Sequence, residues 1–282
     1  MKKFLADIHT HTYFSPDGQD TLEKMCAAAL EKGLSFYGVS EHIDYDLQES
    51  GAPAYGKGIF TDEKEYFHTA RHAQEDYAGV MNVLVGVETG YCDLPAAKKR
   101  YAQTIKAYRP DYVINSVHSR QGCDYSSLAP FYQEDGTTLR PKGEVYREYL
   151  SFVYQSVCQT DYPYDIVGHA GYCARYAPYE DYSISVNEFE KEWEEILKEI
   201  IRRDKILEVN TSDKRGRFLF LPCEDVLKKY YELGGRKVSF GSDAHQTTRI
   251  LDRWDKVIET LKRIGFTYLT LPCRGEHIKV EI

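Results

Sequence analysis

"DIHTHTYFSPDG" (residues 7–18) is the stretch on which the reading of this chain turns. Phe4, Leu5 and Ile8 lead into it as a strand would. On a strand, side chains two apart share a face. His9 and His11 therefore point the same way, about 7 Å apart along the chain, so both imidazoles can reach one metal ion. Ser15-Pro16-Asp17-Gly18 reads as a turn that brings Asp17 back over the same spot. The plain alternative is a pair of surface histidines beside a turn, because a short motif alone also matches by chance.

Further along, short apolar runs recur: "FLADIH" (4–9), "FYGVS" (36–40), "NVLVGVE" (82–88), "YVINSVH" (112–118), "DIVGH" (165–169), "ILEVNT" (206–211) and "KVSFGSD" (237–243). Amphipathic helical stretches separate them at 21–33, 62–78, 96–108, 143–160, 187–204 and 223–233, and a last one follows at 248–264. Strand and helix in alternation predict a parallel sheet with right-handed crossovers. Seven such units in 282 residues fit one closed or nearly closed barrel, for which about 250 residues is typical. The expected organisation is a single domain over 1–282, with long loops at 46–61 and 119–142 and a terminal hairpin in "FTYLTLPCRGEHIKVEI". Loops of that length in a compact domain are either lids or surface insertions.

The strand ends carry the chemistry. They close on His9 and His11, Glu41 and His42, Glu88, His118, His169, and Asp243 and His245. Buried polar groups without partners are costly, and in a parallel barrel these ends share the face that bears active sites. Six of the nine histidines belong to this set, which favours a metal site over coincidence. His68 and His72, four apart on a polar helix, read as solvated, and His277 has no evident partner.

Together, "DIHTHTYFSPDG", "SEH", "VGVE", "NSVH", "GHAG" and "GSDAH" resemble the signature of the PHP (polymerase and histidinol phosphatase) phosphoesterases, the histidinol-phosphatase branch in particular, over residues 4–245. The resemblance implies a distorted (β/α)7 barrel with a trinuclear metal centre. It implies that His9, His11, Glu88 and Asp243 hold a first ion. Glu88 then bridges to a second, completed by His118 and His169, and Asp17, His42 and His245 hold a third. Some family members have His where this chain has Asp17. The resemblance thus implies two to three divalent ions, and nitrogen and carboxylate ligands without sulfur suit Zn, Mn or Fe. Neighbouring ions about 3.5–4 Å apart clamp an in-line phosphoryl displacement and activate a water. Glu88, Asp243 and His245 are accordingly the expected catalytic centre.

Phosphate favours guanidinium, whose planar fork meets two oxygens at once. Arg175 and Arg215 follow ligand strands, Lys214 can share the role, and Arg120 is a weaker candidate. Glu41, Asp124 and Glu134 are candidate partners for a cationic substrate group. The expected activity is hydrolysis of L-histidinol phosphate in histidine biosynthesis. The alternatives are a PHP phosphoesterase on a nucleotide or sugar phosphate, or a non-catalytic metal-binding module.

Composition bounds the remaining choices. With 42% hydrophobic and 28% charged residues the chain reads as globular and soluble. A net charge of −8 argues against a nucleic-acid footprint. The seven cysteines are scattered without a Cys-x-x-Cys pair, against a disulfide framework and in keeping with a reducing cytoplasm. No apolar run reaches the roughly 18 residues of a membrane span, and "MKKFLADIH" lacks the apolar core of a signal peptide. A monomer or homodimer acting on a small phosphorylated substrate is expected.

Overall fold

A computed structural model describes residues 4–120, 122–213 and 215–282. Seven parallel strands form one sheet: β1 (Leu5–Asp7), β2 (Leu34–Ile43), β3 (Asn82–Gly90), β4 (Tyr112–Ser116), β7 (Ile166–Val167), β8 (Ile206–Asn210) and β9 (Val238–Gly241). They lie side by side in chain order. Beyond β1 the chain turns toward β9: Ile8 N donates to Phe240 O at 3.3 Å, and Asp243 N and His11 N make reciprocal bonds at 2.7 and 2.8 Å to His9 O and Ala244 O. The sheet is thus a nearly closed barrel, as the strand spacing predicts, and of the distorted (β/α)7 kind that the resemblance implies.

Helices α1 (Leu22–Glu31), α3 (Glu63–Asp76), α4 (Pro95–Tyr108), α5 (Lys142–Gln159), α7 (Glu190–Arg202), α8 (Glu224–Glu232) and α9 (Trp254–Ile264) run outside the strands. Each buries one apolar stripe, as with Trp193, Ile196, Leu197 and Ile200 of α7. Inside, Tyr112 crosses the barrel and donates to Ile8 O at 2.7 Å. It fits because Gly38 and Gly86 face it: a Cβ on either would come within 2.4 Å of the ring or hydroxyl.

The helix expected over 248–264 is shorter than its pattern. Thr247–Arg249 is a 3-10 turn, and Leu251 and Arg253 then adopt left-handed backbone, with φ of 61° and 60°. The interruption has a cause. Leu251 N and Ser242 N donate to the two oxygens of buried Asp7, at 2.9 and 3.0 Å, so this segment is pinned to β1 before α9 begins.

Two further short helices, α2 (Tyr45–Glu49) and α6 (Tyr172–Tyr176), follow ligand strands. The expected loop at 46–61 therefore starts helical. The loop at 119–142 contains a small ribbon, β5 (Ser119–Arg120) with β6 (Cys123–Asp124), and two 3-10 turns. Buried Arg140 anchors it to Pro130 O, Glu144 and Glu148. The expected terminal hairpin is β10 (Tyr268–Cys273) with β11 (Glu276–Glu281). It buries Leu269, Leu271 and Val280 at the N-terminal end of the barrel. There Arg274 N donates to Asp111 O at 2.7 Å, just before β4 begins. The site lies at the opposite end.

Candidate active site

The strand ends converge as their sequence predicts. Four overlapping sets of ligand atoms each fall within 4.8 Å: His9, His11 and Asp243; His9, Glu88 and His169; His42, Glu88 and His118; and His11, His42 and His245. Glu88 is central and divides its oxygens. Oε1 lies 2.8 Å from His169 Nε2 and 3.2 Å from His118 Nε2. Oε2 lies 3.0 Å from His42 Nδ1, 3.3 Å from His9 Nε2 and 3.5 Å from His11 Nε2. One carboxylate thus faces two adjoining ligand sets. Ser116 Oγ donates to Oε1 at 2.6 Å and holds the carboxylate in place.

Asp17 arrives from its turn as expected, 3.1 Å from His245 Nε2 and 3.8 Å from His42 Nε2. Asp243 reaches His11 Nε2 at 3.4 Å from left-handed backbone, φ 53°. Asp tolerates that region better than most residues, and such strain is typical of functional positions. His68 and His72 are exposed on α3, and His277 is exposed at the hairpin end, so none of the three joins the cluster.

The donor set fits metal ions. Asp17 Oδ1, His42 Nδ1, Glu88 Oε2 and His245 Nε2 are buried without a well-formed hydrogen bond, which is costly for a protein alone. The electrostatics agree. Against burial, His9, His118 and His42 hold the Glu88 carboxyl well below its ordinary range. Burial opposes charge on His9, yet Glu208, Glu88 and Asp243 raise it well above an ordinary imidazole. His42 is likewise raised, to about 10, because Glu88 outweighs its burial. Burial, then His42 and His245, push His11 well below the ordinary value. The cluster is anionic at its centre and attracts cations, and metal ions meet that demand as well as protons do.

A cavity of about 600 Å³ opens over the cluster. Arg175 lines it and is 5% exposed. Its Nη1 lies 3.3 Å from Asp243 Oδ2 and its Nη2 donates to Asn210 Oδ1 at 2.5 Å, while Nε is buried without a partner. Arg215 lines the rim, exposed, with Nη1 donating to Tyr176 O at 3.2 Å. Lys214 lies outside the described residues. Arg120 is not in this cavity and pairs with Glu148 at 2.5 Å.

Glu41 requires correction as a substrate contact. It is fully buried and does not line the cavity. Its carboxylate accepts from Thr12 N at 2.9 Å, Thr12 Oγ1 at 2.6 Å and Ser15 Oγ. Neighbours on a strand face opposite ways, so with His42 turned to the centre, Glu41 braces the first loop from behind. Ser15 then meets His11 Nδ1 at 3.1 Å. Glu134, at the exposed part of its loop, is also away from the main cavity.

Of the acidic candidates Asp124 does line the cavity, together with Asp44 and Asp46, which sequence reasoning missed. Asp44 Oδ2 accepts from Tyr55 at 3.1 Å. Asp46 accepts from Tyr101 and Ser119, and Asp124 from Tyr172 and Ser126 N. No lysine or arginine pairs with any of the three among the described residues. Burial pushes Asp44 up to about 7, against the pull of His42. Glu208 and Asn210, inside the apolar run of β8, were also missed. Two polar residues at i and i+2 within "ILEVN" were the available signal.

The chain was compared with known proteins. The sequence model of the PHP domain family matches residues 7–212. The probable histidinol-phosphatase of Clostridium acetobutylicum is 32% identical over 240 residues, 85% of this chain and 86% of that protein. The histidinol-phosphatase of Lactococcus lactis is 30% identical over 269 residues, 94% of this chain and 93% of that protein. The crystal structure of histidinol phosphate phosphatase from Lactococcus lactis, complexed with Zn, L-histidinol and phosphate, superposes with a TM-score of 0.83 at 28% identity, covering 99% of this chain and all of that one. Asp243 and His245 lie beyond the stretch matched by the family model, yet the fold returns them to the cluster.

Proposed function

The chain belongs to the PHP domain family, and we propose that its barrel mouth hydrolyses L-histidinol phosphate to L-histidinol and phosphate. The observation that carries this reading is the layout of one cavity. A nitrogen and carboxylate cluster forms the floor, Arg175 and Arg215 stand on the β7 and β8 loops, and Asp44, Asp46 and Asp124 stand on the β2 and β4 loops. A phosphate with a cationic tail matches that polarity, and a nucleotide or sugar phosphate does not. The histidinol phosphatase relatives and the Zn-, histidinol- and phosphate-bound neighbour support the same substrate.

His9, His11, Glu88 and Asp243 would hold one ion, Glu88, His118 and His169 a second, and Asp17, His42 and His245 a third. Two to three Zn, Mn or Fe ions would supply Lewis-acid stabilisation of the developing charge and lower the pKa of the attacking water. The chain's own groups do the rest. Arg175 is preoriented by Asp243 and Asn210 and offers its free Nε to a phosphate oxygen. Arg215 adds a second positive charge at the rim. Asp44 lines the cavity without a lysine or arginine partner among the described residues and can accept from the substrate ammonium. A non-catalytic module is disfavoured, because every expected ligand position is filled.

The test is steady-state phosphate release by metal-loaded protein from histidinol phosphate, glycerol phosphate and a nucleoside monophosphate. The highest kcat/KM is expected on histidinol phosphate. Asp44→Asn should shrink that preference by about tenfold or more, the scale of a charge-assisted hydrogen bond of about 1.5–3 kcal/mol. Equal or better turnover of the nucleotide would transfer the assignment to a different small phosphate.

A further inference from the structure

One buried carboxylate behind the cluster touches neither the cavity nor a cation other than histidine. Glu208, on β8, is 1% exposed. Its Oε1 lies 2.5 Å from His9 Nδ1, and its Oε2 accepts the backbone N–H of His169 at 2.6 Å. No arginine or lysine pairs with it among the described residues. The contact passes through space that a side chain at position 241 would fill. A Cβ on Gly241 would stand 2.3 Å from Glu208 Oε1 and 2.6 Å from His9 Cβ.

We infer that Glu208 is the positioning residue that fixes the tautomer of His9 and ties His9 and His169, which share one ligand set around Glu88 and would serve neighbouring ions, to one anchor. A carboxylate only accepts, so His9 Nδ1 carries the proton. In the neutral ring Nε2 then keeps its lone pair, 3.3 Å from Glu88 Oε2 and 3.1 Å from His11 Nε2, where a metal would sit. Asn210 Nδ2, at 3.5 Å from His9 Nδ1, is the weaker neighbour of that nitrogen. Two donors face Glu208, so only a group with two acceptor oxygens satisfies both. Glutamine, of the same shape, has one oxygen and one NH2. Turned one way, its NH2 opposes the His169 N–H. Turned the other way, it donates to His9 Nδ1, moves the ring proton to Nε2 and blocks the metal-facing nitrogen. Outer partners of this kind tune metal sites strongly.

The inference rests on the metal reading of the site and on nothing about the substrate. Zinc affinity of wild type and Glu208→Gln, measured by competition with a chromophoric chelator at fixed pH, tests it. The variant should bind zinc about 10–100-fold more weakly, and the loss should include the ions served by His9 and His169. Wild-type stoichiometry with affinity unchanged within about threefold would overturn the proposal even if the variant melted earlier, since that is a merely structural role. If the variant does not fold, 15N-histidine spectra of zinc-loaded wild type decide alone. His9 should be protonated at Nδ1, and an unprotonated Nδ1 overturns the proposal. A failed substrate panel leaves these readouts untouched, whereas wild type that takes up no zinc defeats this inference together with the metal reading.

Discussion

Arg175 Nη1 lies 3.3 Å from Asp243 Oδ2, so the best buried guanidinium of the cavity is braced by a residue of the candidate metal-binding cluster. Arg175 is held at two of its nitrogens, while Arg215 is exposed and held by a single carbonyl. Arg175→Ala should lower kcat/KM by about 10–100-fold, the loss of one charge-assisted contact of roughly 1.5–3 kcal/mol. Arg215→Ala should cost less, because an exposed side chain is less well oriented beforehand. Steady-state kinetics on the two variants give the comparison. A larger loss for Arg215 would reverse the ranking.

Glu88 faces both adjoining ligand sets with separate oxygens. Glu88→Ala should therefore reduce bound metal per chain and lower kcat/KM by more than the 10–100-fold typical of outer partners. The same cluster sets a pH dependence. His9 and His42 have raised proton affinities in the metal-free protein, so protons compete with metal well above the range of a free imidazole. Metal binding should release protons and strengthen as pH rises from about 6 to 9. Calorimetry in buffers of differing ionisation enthalpy measures the release. Binding unchanged across that range would contradict the histidine ligand set.

Asp111 anchors the end of the barrel away from the chemistry. It accepts from Arg71 Nη1 at 2.8 Å, Arg274 Nε at 2.7 Å, Gln74 Nε2 at 2.7 Å and Val85 N at 2.9 Å. Asp111→Ala should destabilise the fold by about 2–3 kcal/mol, because buried donors lose their acceptor. Turnover by the remaining folded, metal-loaded protein should be unchanged. Despite its burial, the hydrogen bonds depress the carboxyl below its ordinary value of 3.8. A depressed acid contributes stability that is present above its unfolded value and lost as pH falls through the folded one. The gap between wild type and variant in denaturant melts should therefore close below about pH 4. A gap that persists in acid would show that packing, not charge, holds this corner.

Sequence alone determined the seven barrel strands, the barrel class and eight of the nine candidate ligands, because each of those eight sits where an apolar strand stops, whereas Asp17 comes from a turn. A parallel barrel brings all such ends to one face whatever the details of packing. The same logic explains His9 and His11, which share a face by spacing alone. Tertiary structure decided what stands behind and beside those ligands. Glu41 and His42 are adjacent in sequence, yet one props a loop and the other faces the centre. Glu208 reaches His9 across 199 positions of chain, a pairing that depends on β8 and β9 closing against β1. Asp44 and Asp46 face the cavity only because α2 starts where β2 ends, and Arg253 and Leu251 break the last helix only because Asp7 and the 218–219 carbonyls are there to receive them. Local periodicity fixes which way a side chain points along its own strand. It carries no record of which distant strand that side chain will meet, and that meeting distinguishes a ligand, its anchor and a substrate contact.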